Sequence, residues 1–357
     1  MTAWRLLDTG LRPAAQNIAL NRALLEARQE NTGPSTLRFL RFEACALLGY
    51  HQSAEQELNL DYCREHGITI QRRITGGGAI YFDTTQIGWE LYLHKHELGT
   101  ADMTAISRRI CEAAARGIST LGVDARFRPR NDIEVDGRKI SGTGGAFDGD
   151  ALMYQGTLLI EFDVEKMLRV LKIPAEKLSD KAIASARERV ANLADLLGQV
   201  PTMTQVQAAL ASAFAEEFDV QFTTSPLTPL EETLYQAALA EIDHPDWVNL
   251  LVRPAGDRPT LDAVRKFSGG LLRASVAFDR SQGRIRQVWF SGDVFISPRR
   301  TLADLEAALR DTLAEQMAQN VKQFFAGRTI DMLTLTADDF VSVLHEALAQ
   351  TASETAA

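Results

Sequence analysis

Residues 131–142 read Asn131-Asp132-Ile133-Glu134-Val135-Asp136-Gly137-Arg138-Lys139-Ile140-Ser141-Gly142. The Asp-Gly pair lies between strand-like flanks and favours a two-residue type I′ turn. With that turn, the expected cross-strand pairs are Val135–Arg138, Glu134–Lys139, Ile133–Ile140 and Asp132–Ser141. Because side chains alternate between the faces of a strand, Asp132, Glu134, Lys139 and Ser141 would share one face. The stretch therefore predicts a rigid hairpin that holds carboxylates and an ammonium on one surface, although Lys139 could also be a solvated lysine paired with Glu134.

Two glycine-rich stretches accompany this hairpin. Gly142-Thr143-Gly144-Gly145 follows it directly and is predicted to be a flexible, phosphate-friendly loop. Upstream, the chain reads Arg72-Arg73-Ile74-Thr75-Gly76-Gly77-Gly78. Consecutive glycines lose much backbone entropy on folding, so the triplet indicates either an unusual turn or a close approach of the backbone to an anion. Arg73 favours the anion, since a guanidinium suits carboxylates and phosphates.

The remaining pattern predicts an α+β fold. Residues 37–48 are strand-like, and apolar residues alternate over residues 87–93, which is typical of a half-buried strand. A long amphipathic helix begins after Asp102, and two closing helices begin at Thr301 and Thr336, each with an aspartate three residues later. We expect a catalytic domain with a mixed sheet over residues 1–224, a small α+β C-terminal accessory domain over 225–350, and a disordered tail over 351–357.

Composition excludes several classes of protein. The 357 residues carry a net charge of −9 without a basic block, which disfavours nucleic-acid binding. There is no signal-peptide layout and no apolar run of membrane length, so we expect a monomeric cytoplasmic protein that does not bind membranes. Three scattered cysteines, Cys45, Cys63 and Cys111, are too few for a disulfide framework or a zinc site.

Four blocks of sequence resemble the lipoate–protein ligase A family of the biotin/lipoate ligase superfamily. They occur in the family's order and cover most of residues 1–220; they are Arg72–Asp83, Asn131–Gly142, Gln155–Leu159 and Lys181–Leu193. The last block is similar to the family's adenylate-binding loop. Residues 267–293 resemble the accessory domain that these ligases carry on the same chain or on a separate subunit. The resemblance thus implies a biotin/lipoate ligase-like catalytic domain followed by that accessory domain.

The resemblance also implies an activity and its participants. Such enzymes use ATP and Mg²⁺ to convert lipoate to lipoyl-AMP, and then transfer the lipoyl group to a lysine of a carrier protein. The carrier would be a lipoyl domain, the glycine-cleavage H protein or a related lipoate-binding protein. Positive charge lowers the barrier when a carboxylate attacks an α-phosphate, because two anions must meet.

Site residues follow from the same resemblance. Lys139 would be the catalytic residue, between the lipoate carboxylate and the α-phosphate, and Asp132 would bind the metal. The nucleotide and adenylate would contact Arg73, Gly76, Gly77, Gly78, Ala79, Ile80, Tyr81, Asn131, Asp132, Lys139 and Ser185. Lipoate would contact Arg73, Gly78, Lys139, Gly49, His51 and Gly156. Two positions depart from the family pattern, Phe82 and Gln155, where many members have histidine.

Three alternatives compete with a ligase. An octanoyl- or lipoyl-transferase of the same fold would pass the acyl group through a cysteine thioester without ATP, but residues 127–145 and 152–162 contain no cysteine. Structural roles for Cys45, Cys63 and Cys111 are expected instead. A biotin–protein ligase has a different glycine-rich signature. A non-catalytic binder of lipoyl carriers is disfavoured because Arg73, Lys139 and Asp132 are all present.

Overall fold

An eight-stranded mixed sheet organises the first of two compact units in the computed structural model, which describes residues 2–129, 131–172, 180–251, 260–332 and 334–353. In order across the sheet, the strands are β11 (Val220–Thr224), β1 (Thr2–Arg12), β2 (Thr36–Phe42), β6 (Gln86–His94), β10 (Ala151–Leu159), β9 (Arg138–Asp148), β8 (Asp132–Val135) and β7 (Ala125–Arg128). β1 pairs in parallel with β2 and β11, and the other neighbours pair antiparallel. The predicted mixed sheet of an α+β fold is confirmed.

Helices complete the first unit. They are α1 (Ala14–Gln29), α3 (Leu60–Glu65), α4 (Lys95–Leu98), α5 (Met103–Ser119), α6 (Val164–Val170), α7 (Asp180–Arg187), α8 (Leu193–Leu197), α9 (Met203–Phe218), α10 (Pro229–Ile242) and α11 (Pro245–Val248). The side chain of Asp102 caps α5 as predicted, accepting the N–H of Thr104 at 2.9 Å. The apolar face of α5 buries Ile106, Ile110 and Ile118 in the core.

Two short connections of the N-terminal half belong to the second unit. The first unit comprises residues 1–47, 58–71 and 80–247, and the second comprises 48–57, 72–79 and 248–357. A three-stranded sheet in the order β4 (Thr69–Arg72), β3 (Cys45–Leu48) and β5 (Ile80–Phe82) lies where the chain changes unit. The single strand predicted over residues 37–48 is therefore wrong, because a bend at residues 43–44 separates β2 from β3 and places them in different sheets.

The C-terminal part of the second unit is a four-stranded antiparallel sheet with helices. Its strand order is β12 (Thr260–Phe267), β13 (Gly270–Asp279), β14 (Arg284–Gly292) and β15 (Thr312–Leu313), and its helices are α12 (Thr301–Ala308), α13 (Met317–Ala326) and α14 (Ala337–Ser353). A short helix, α2 (Ala54–Glu57), belongs to the same unit. Alternate residues of β13 and β14 face the helices and form the core, among them Leu272, Val276, Val288 and Phe290.

The start and the end of this C-terminal part differ from expectation in detail. Asp339 accepts the N–H of Thr336 at 2.8 Å, as a cap of α14 should, whereas α12 has no side-chain cap and begins at Thr301 itself. α14 continues to Ser353, so the first three residues of the predicted disordered tail are helical; residues 354–357 lie outside the described residues. The predicted domain division after residue 224 stays a prediction, and the first compact unit continues to Trp247.

Among the described residues, no helix has both the length and the apolar character required to cross a membrane.

Candidate active site

The predicted hairpin is formed by β8 and β9, and the predicted type of its turn is confirmed. Asp136 and Gly137 both have positive φ angles, of 50° and 75°, as a type I′ turn requires. Val135 pairs with Arg138 and Glu134 with Lys139. Beyond these pairs the register shifts, so Ile133 pairs with Ser141 and Asp132 with Gly142. The predicted pairs Ile133–Ile140 and Asp132–Ser141 are therefore wrong.

A β-bulge at Ile140 causes this shift and changes which side chains are exposed. Ile140 and Ser141 are consecutive residues, yet both are fully buried. In a regular strand they would point to opposite faces, and the extra residue of a bulge removes that alternation. Ser141 was expected on the polar face with Asp132, but its hydroxyl is buried and has no hydrogen-bond partner among the described residues. The polar surface of the hairpin thus consists of Asp132, Glu134 and Lys139.

The bulge brings Lys139 onto Asp132. The Nζ of Lys139 lies 2.6 Å from Oδ1 of Asp132, and both side chains are partly exposed. Lys139 does not pair with Glu134, which instead contacts Arg128 at 3.3 Å. A Cβ atom on Gly142 would lie 2.9 Å from Cε and Nζ of Lys139, so the lysine side chain extends across the glycine backbone. The predicted carboxylate and ammonium therefore form an ion pair on one rigid surface.

The block predicted to contain the adenylate-binding loop adjoins Lys139. The N–H of Lys139 donates to the carbonyl of Arg189 at 2.8 Å, and the N–H of Ala191 donates to the carbonyl of Lys139 at 2.8 Å. Most of the block is not a loop, because residues 180–187 form α7. Ser185 lies on α7 and is half-buried. The second and fourth blocks of the resemblance are thus joined by backbone hydrogen bonds.

The glycines after the hairpin belong to a strand. Gly142, Thr143, Gly144 and Gly145 are part of β9 and pair with β8 or β10, so the prediction of a second flexible loop is wrong. Gly145 is required by packing, since a Cβ there would lie 2.4 Å from the Tyr154 ring. Gly156 on β10 is required for the same reason, because a Cβ added there would lie 2.2 Å from the Trp89 ring.

Asn131 precedes β8 and binds the neighbouring strand. Its side-chain nitrogen donates to the carbonyl of Thr143 at 2.7 Å, and its own carbonyl accepts the N–H of Thr143 at 2.8 Å. These bonds fix the start of the hairpin next to Asp132. In the structure, Asn131 therefore supports the site through the backbone of β9.

The glycine triplet belongs to the second unit, where it packs tightly. The N–H of Gly77 donates to the carbonyl of Val294 at 3.2 Å, and Gly77 has a φ of +93°. A Cβ on Gly76 would lie 2.2 Å from the same carbonyl oxygen, and a Cβ on Gly49 would lie 1.8 Å from the carbonyl oxygen of Gly77. Only glycine permits these approaches. Gly78 is exposed, and a Cβ added there would meet nothing nearer than Cβ of Asp293 at 3.8 Å.

Arginines buried in the second unit shape the loops of the predicted site. Arg73 donates to the carbonyls of Gly76 at 3.1 Å and Gly78 at 2.9 Å. Arg72 donates to the carbonyls of Gly49, Tyr50 and Gln52. Burial lowers the pKa of each guanidinium to about 10, so both remain charged at neutral pH. Arg72 was not among the predicted site residues, although it directly precedes Arg73 in the sequence.

His51 and Tyr81 are both buried. His51 is buried in the second unit, where desolvation, together with the charges of Arg72 and Arg299, lowers its pKa to about 4. Tyr81 lies on β5 with Ile80, and its hydroxyl donates to Asp83 at 2.8 Å. Contacts of Ala79, Ile80 and Tyr81 with a nucleotide remain a prediction.

Asp132 is the predicted ligand of Mg²⁺, and both of its oxygens already contact cations. Oδ1 is bound by Lys139, and Oδ2 lies 2.5 Å from Nη2 of Arg128. Within the described part of the chain, no group of three or more His, Cys, Asp or Glu side chains could hold a metal ion. Mg²⁺ is commonly held by one or two carboxylates together with phosphates and water. Asp132 therefore fits this ion as one carboxylate ligand beside the phosphates of a nucleotide.

The three cysteines are poor nucleophiles in this structure. Cys45, Cys63 and Cys111 are all buried, and burial raises the pKa of each thiol. The Sγ of Cys111 lies 3.2 Å from both the Thr143 and Tyr154 hydroxyl oxygens, within the core of the first unit. A reactive thiolate needs an exposed site that lowers its pKa, so each cysteine has the features of a structural residue.

The mixed sheet with its lysine hairpin has the fold of the lipoate–protein ligases. Residues 13–215 match the family described as the lipoyl protein ligase A/B catalytic domain, and because this is more than half of the chain, the protein belongs to that family.

Both ligases and transferases are among the proteins that this chain is similar to. The structure of a bipartite lipoate protein ligase from Thermoplasma acidophilum, described with its E2 lipoyl domain, is 31% identical, with a TM-score of 0.63 and coverage of 72% of this chain and 100% of that chain. A lipoate-protein ligase A bound with ATP is 28% identical, with a TM-score of 0.63 and coverage of 71% and 100%. An octanoyltransferase LipM from Clostridioides difficile is 25% identical over 66% of this chain and 94% of its own length. The family thus contains ATP-binding ligases and transferases.

Proposed function

We propose that this protein is an ATP-dependent lipoate–protein ligase, and the ion pair of Lys139 with Asp132 is the observation that carries the proposal. The reaction begins when a lipoate carboxylate oxygen forms a bond to the α-phosphorus of ATP and the bond to the β-phosphate oxygen breaks. Pyrophosphate leaves and lipoyl-AMP remains. Two anions approach each other in this step, so a fixed ammonium next to both lowers the barrier. Lys139 extends over Gly142 on a rigid hairpin, which is the placement that such a group needs.

The second step joins the lipoyl group to a carrier. The neutral amine of a carrier lysine attacks the carbonyl of the mixed anhydride, an amide bond forms, AMP leaves and the amine nitrogen loses a proton. AMP is a good leaving group, so this step requires no nucleophile from the protein. A lipoyl domain is the proposed carrier, supported by the relative whose structure was described with its E2 lipoyl domain.

The substrates place demands on this chain's own residues. Lys139 would turn from Asp132 to the two reacting anions, and Asp132 with Asn131 would face the phosphates. Arg73, which supports the carbonyls of the triplet, would keep the exposed Gly78 in position for the nucleotide and lipoate. A magnesium ion, held by Asp132 and the phosphates, would supply further neutralisation of the triphosphate.

A cysteine-free protein distinguishes the ligase from a transferase. We expect a variant with Cys45, Cys63 and Cys111 all replaced by alanine to lipoylate a lipoyl domain from lipoate and ATP at a rate within about 3-fold of the unchanged protein, because no thiol takes part. The measurement is the mass of the carrier after a timed reaction. The same assay with an octanoyl-carrier donor and no ATP is the control. Carrier acylation in that control, lost in the cysteine-free variant, would identify a thioester transferase.

The position of Lys139 can be altered without removing its charge. In a Gly142→Ala variant the new Cβ would displace the lysine Nζ, and the rate of lipoate-dependent pyrophosphate release should fall about 10- to 100-fold, since small misplacements of a catalytic group are costly. Gly144→Ala is the matched control on the same strand, because a Cβ there has no neighbour within 4 Å. Equal rates for the two variants would mean that the lysine position is unimportant.

A further inference from the structure

Arg128 is held next to the proposed catalytic pair by the pairing of two strands. It ends the edge strand β7 and lies directly opposite Asp132 of β8. Its Nη2 lies 2.5 Å from Oδ2 of Asp132, and its Nη1 lies 3.3 Å from Oε2 of Glu134. The guanidinium therefore bridges two carboxylates on the polar surface of the hairpin. Its hydrogen bond to Asp132 raises the pKa of Arg128 above the usual value.

The two cations on Asp132 are held in different ways. Arg128 has a planar guanidinium with contacts to two carboxylates, and its backbone is paired with that of Asp132. The ammonium of Lys139 is a point charge at the end of a flexible stem, and Asp132 is its single ion-pair partner among the described residues. When anions enter the site, Lys139 can therefore leave Asp132 more easily than Arg128 can.

We propose that Arg128 is a positioning residue of adenylation: it retains Oδ2 of Asp132 so that only Oδ1 exchanges between Lys139 and the metal of the nucleotide. This inference rests on the proposed function, since the exchange has a purpose only if Lys139 turns to lipoate and ATP. With Oδ2 fixed, the carboxylate keeps one orientation in both states. Without Arg128 the carboxylate could rotate, and both oxygens would be available to Lys139. Asp132 would then hold the lysine more strongly and the metal more weakly.

Metal binding tests this role independently of turnover. Binding of Mn²⁺·ATP, measured by isothermal titration calorimetry, would be compared among the unchanged protein, Arg128→Ala, Arg128→Lys and Arg126→Ala. Arg126 is the matched control, because it lies on the same strand, opposite Glu134, and its ion-pair partner is Asp124 rather than Asp132. We expect Arg128→Ala to weaken Mn²⁺·ATP binding about 10-fold, which corresponds to about 1.4 kcal/mol. Arg128→Lys should recover part of the loss, and Arg126→Ala should bind normally.

Turnover supplies a second readout that a merely structural role would not produce. In Arg128→Ala, the Mg²⁺ concentration for half-maximal pyrophosphate release should rise by a similar factor, while kcat at saturating Mg²⁺ stays within about 3-fold. Unchanged metal dependence in Arg128→Ala, or an equal loss in Arg126→Ala, would overturn the proposal. If the unchanged protein binds Mn²⁺·ATP but releases no pyrophosphate with lipoate, the proposed function itself fails. If it releases pyrophosphate and Arg128→Ala behaves identically, only the role of Arg128 fails.

Discussion

Replacing Lys139 with alanine is expected to lower the rate of lipoate-dependent pyrophosphate release about 10³-fold. The substitution removes the ammonium that would neutralise the approaching carboxylate and α-phosphate, and removal of one such preorganised group commonly costs about 10²- to 10³-fold in kcat. The side chain is partly exposed and its ion-pair partner Asp132 keeps Arg128, so the fold should remain stable. The rate is measured with a coupled pyrophosphate assay at saturating ATP and lipoate.

The control for this variant is a second partly exposed lysine with an aspartate partner. Lys95 lies 2.5 Å from Asp150 with a side-chain exposure of 43%, compared with 38% for Lys139. Lys95→Ala therefore removes an equivalent surface ion pair and should leave the rate unchanged. If Lys139→Ala and Lys95→Ala both retain full activity, Lys139 is a solvated hairpin lysine and the adenylation chemistry lies elsewhere.

Removal of a buried ion pair, distant from the hairpin in sequence, should destabilise the protein strongly. Arg5 on β1 and Glu231 on α10 are both 1% exposed, and the guanidinium binds the carboxylate through two contacts of 2.6 Å. Glu231→Ala would leave a buried guanidinium without its counter-charge, which costs about 3–5 kcal/mol. It would also remove the acceptor of the Thr228 N–H at the start of α10. Urea unfolding followed by circular dichroism measures the change.

A second glutamate of the same helix provides the comparison. Glu241 forms an exposed ion pair with Arg22 of α1, at 2.5 Å, and exposed pairs contribute about 0–1 kcal/mol. Glu241→Ala should therefore lower the free energy of unfolding by less than about 1 kcal/mol. A similar small loss for Glu231→Ala would show that α10 is not anchored to the sheet. The large loss would instead mean that α10 contributes to the stability of the first unit, although it follows the domain boundary predicted after residue 224.

Local sequence was sufficient to predict the hairpin turn but not its full register. Asp136-Gly137 determines a type I′ turn because only a few residue types tolerate two positive φ angles in succession. The bulge at Ile140 depends on what lies beside the strand, where Lys139 exchanges two backbone hydrogen bonds with residues 189 and 191. That segment is distant in sequence, and alternation of polar and apolar residues contains no information about it. The prediction therefore failed at the pair directly after Glu134–Lys139.

The glycine triplet illustrates a second limit. Its composition correctly indicated an unusual backbone, since Gly77 has a positive φ and Gly76 approaches a carbonyl group closely. The group approached is the carbonyl of Val294, however, which belongs to the loop after β14. A local pattern shows that space is needed without showing which atoms fill it. Arg73 donates to the carbonyls of Gly76 and Gly78 in the structure, and its predicted contact with an anion stays a prediction.

Detection of the lipoyl-AMP intermediate is the most direct test of whether this chain activates lipoate with ATP. The purified protein would be incubated with lipoate, ATP and Mg²⁺ without any carrier, and the bound product identified by mass spectrometry. If the protein is an ATP-dependent ligase, we expect lipoyl-AMP together with an equal amount of pyrophosphate, and neither product in the absence of lipoate. If instead well-folded protein forms no adenylate and becomes acylated on a cysteine by an octanoyl-carrier donor, the proposed ligase activity is wrong and the protein is a thioester transferase.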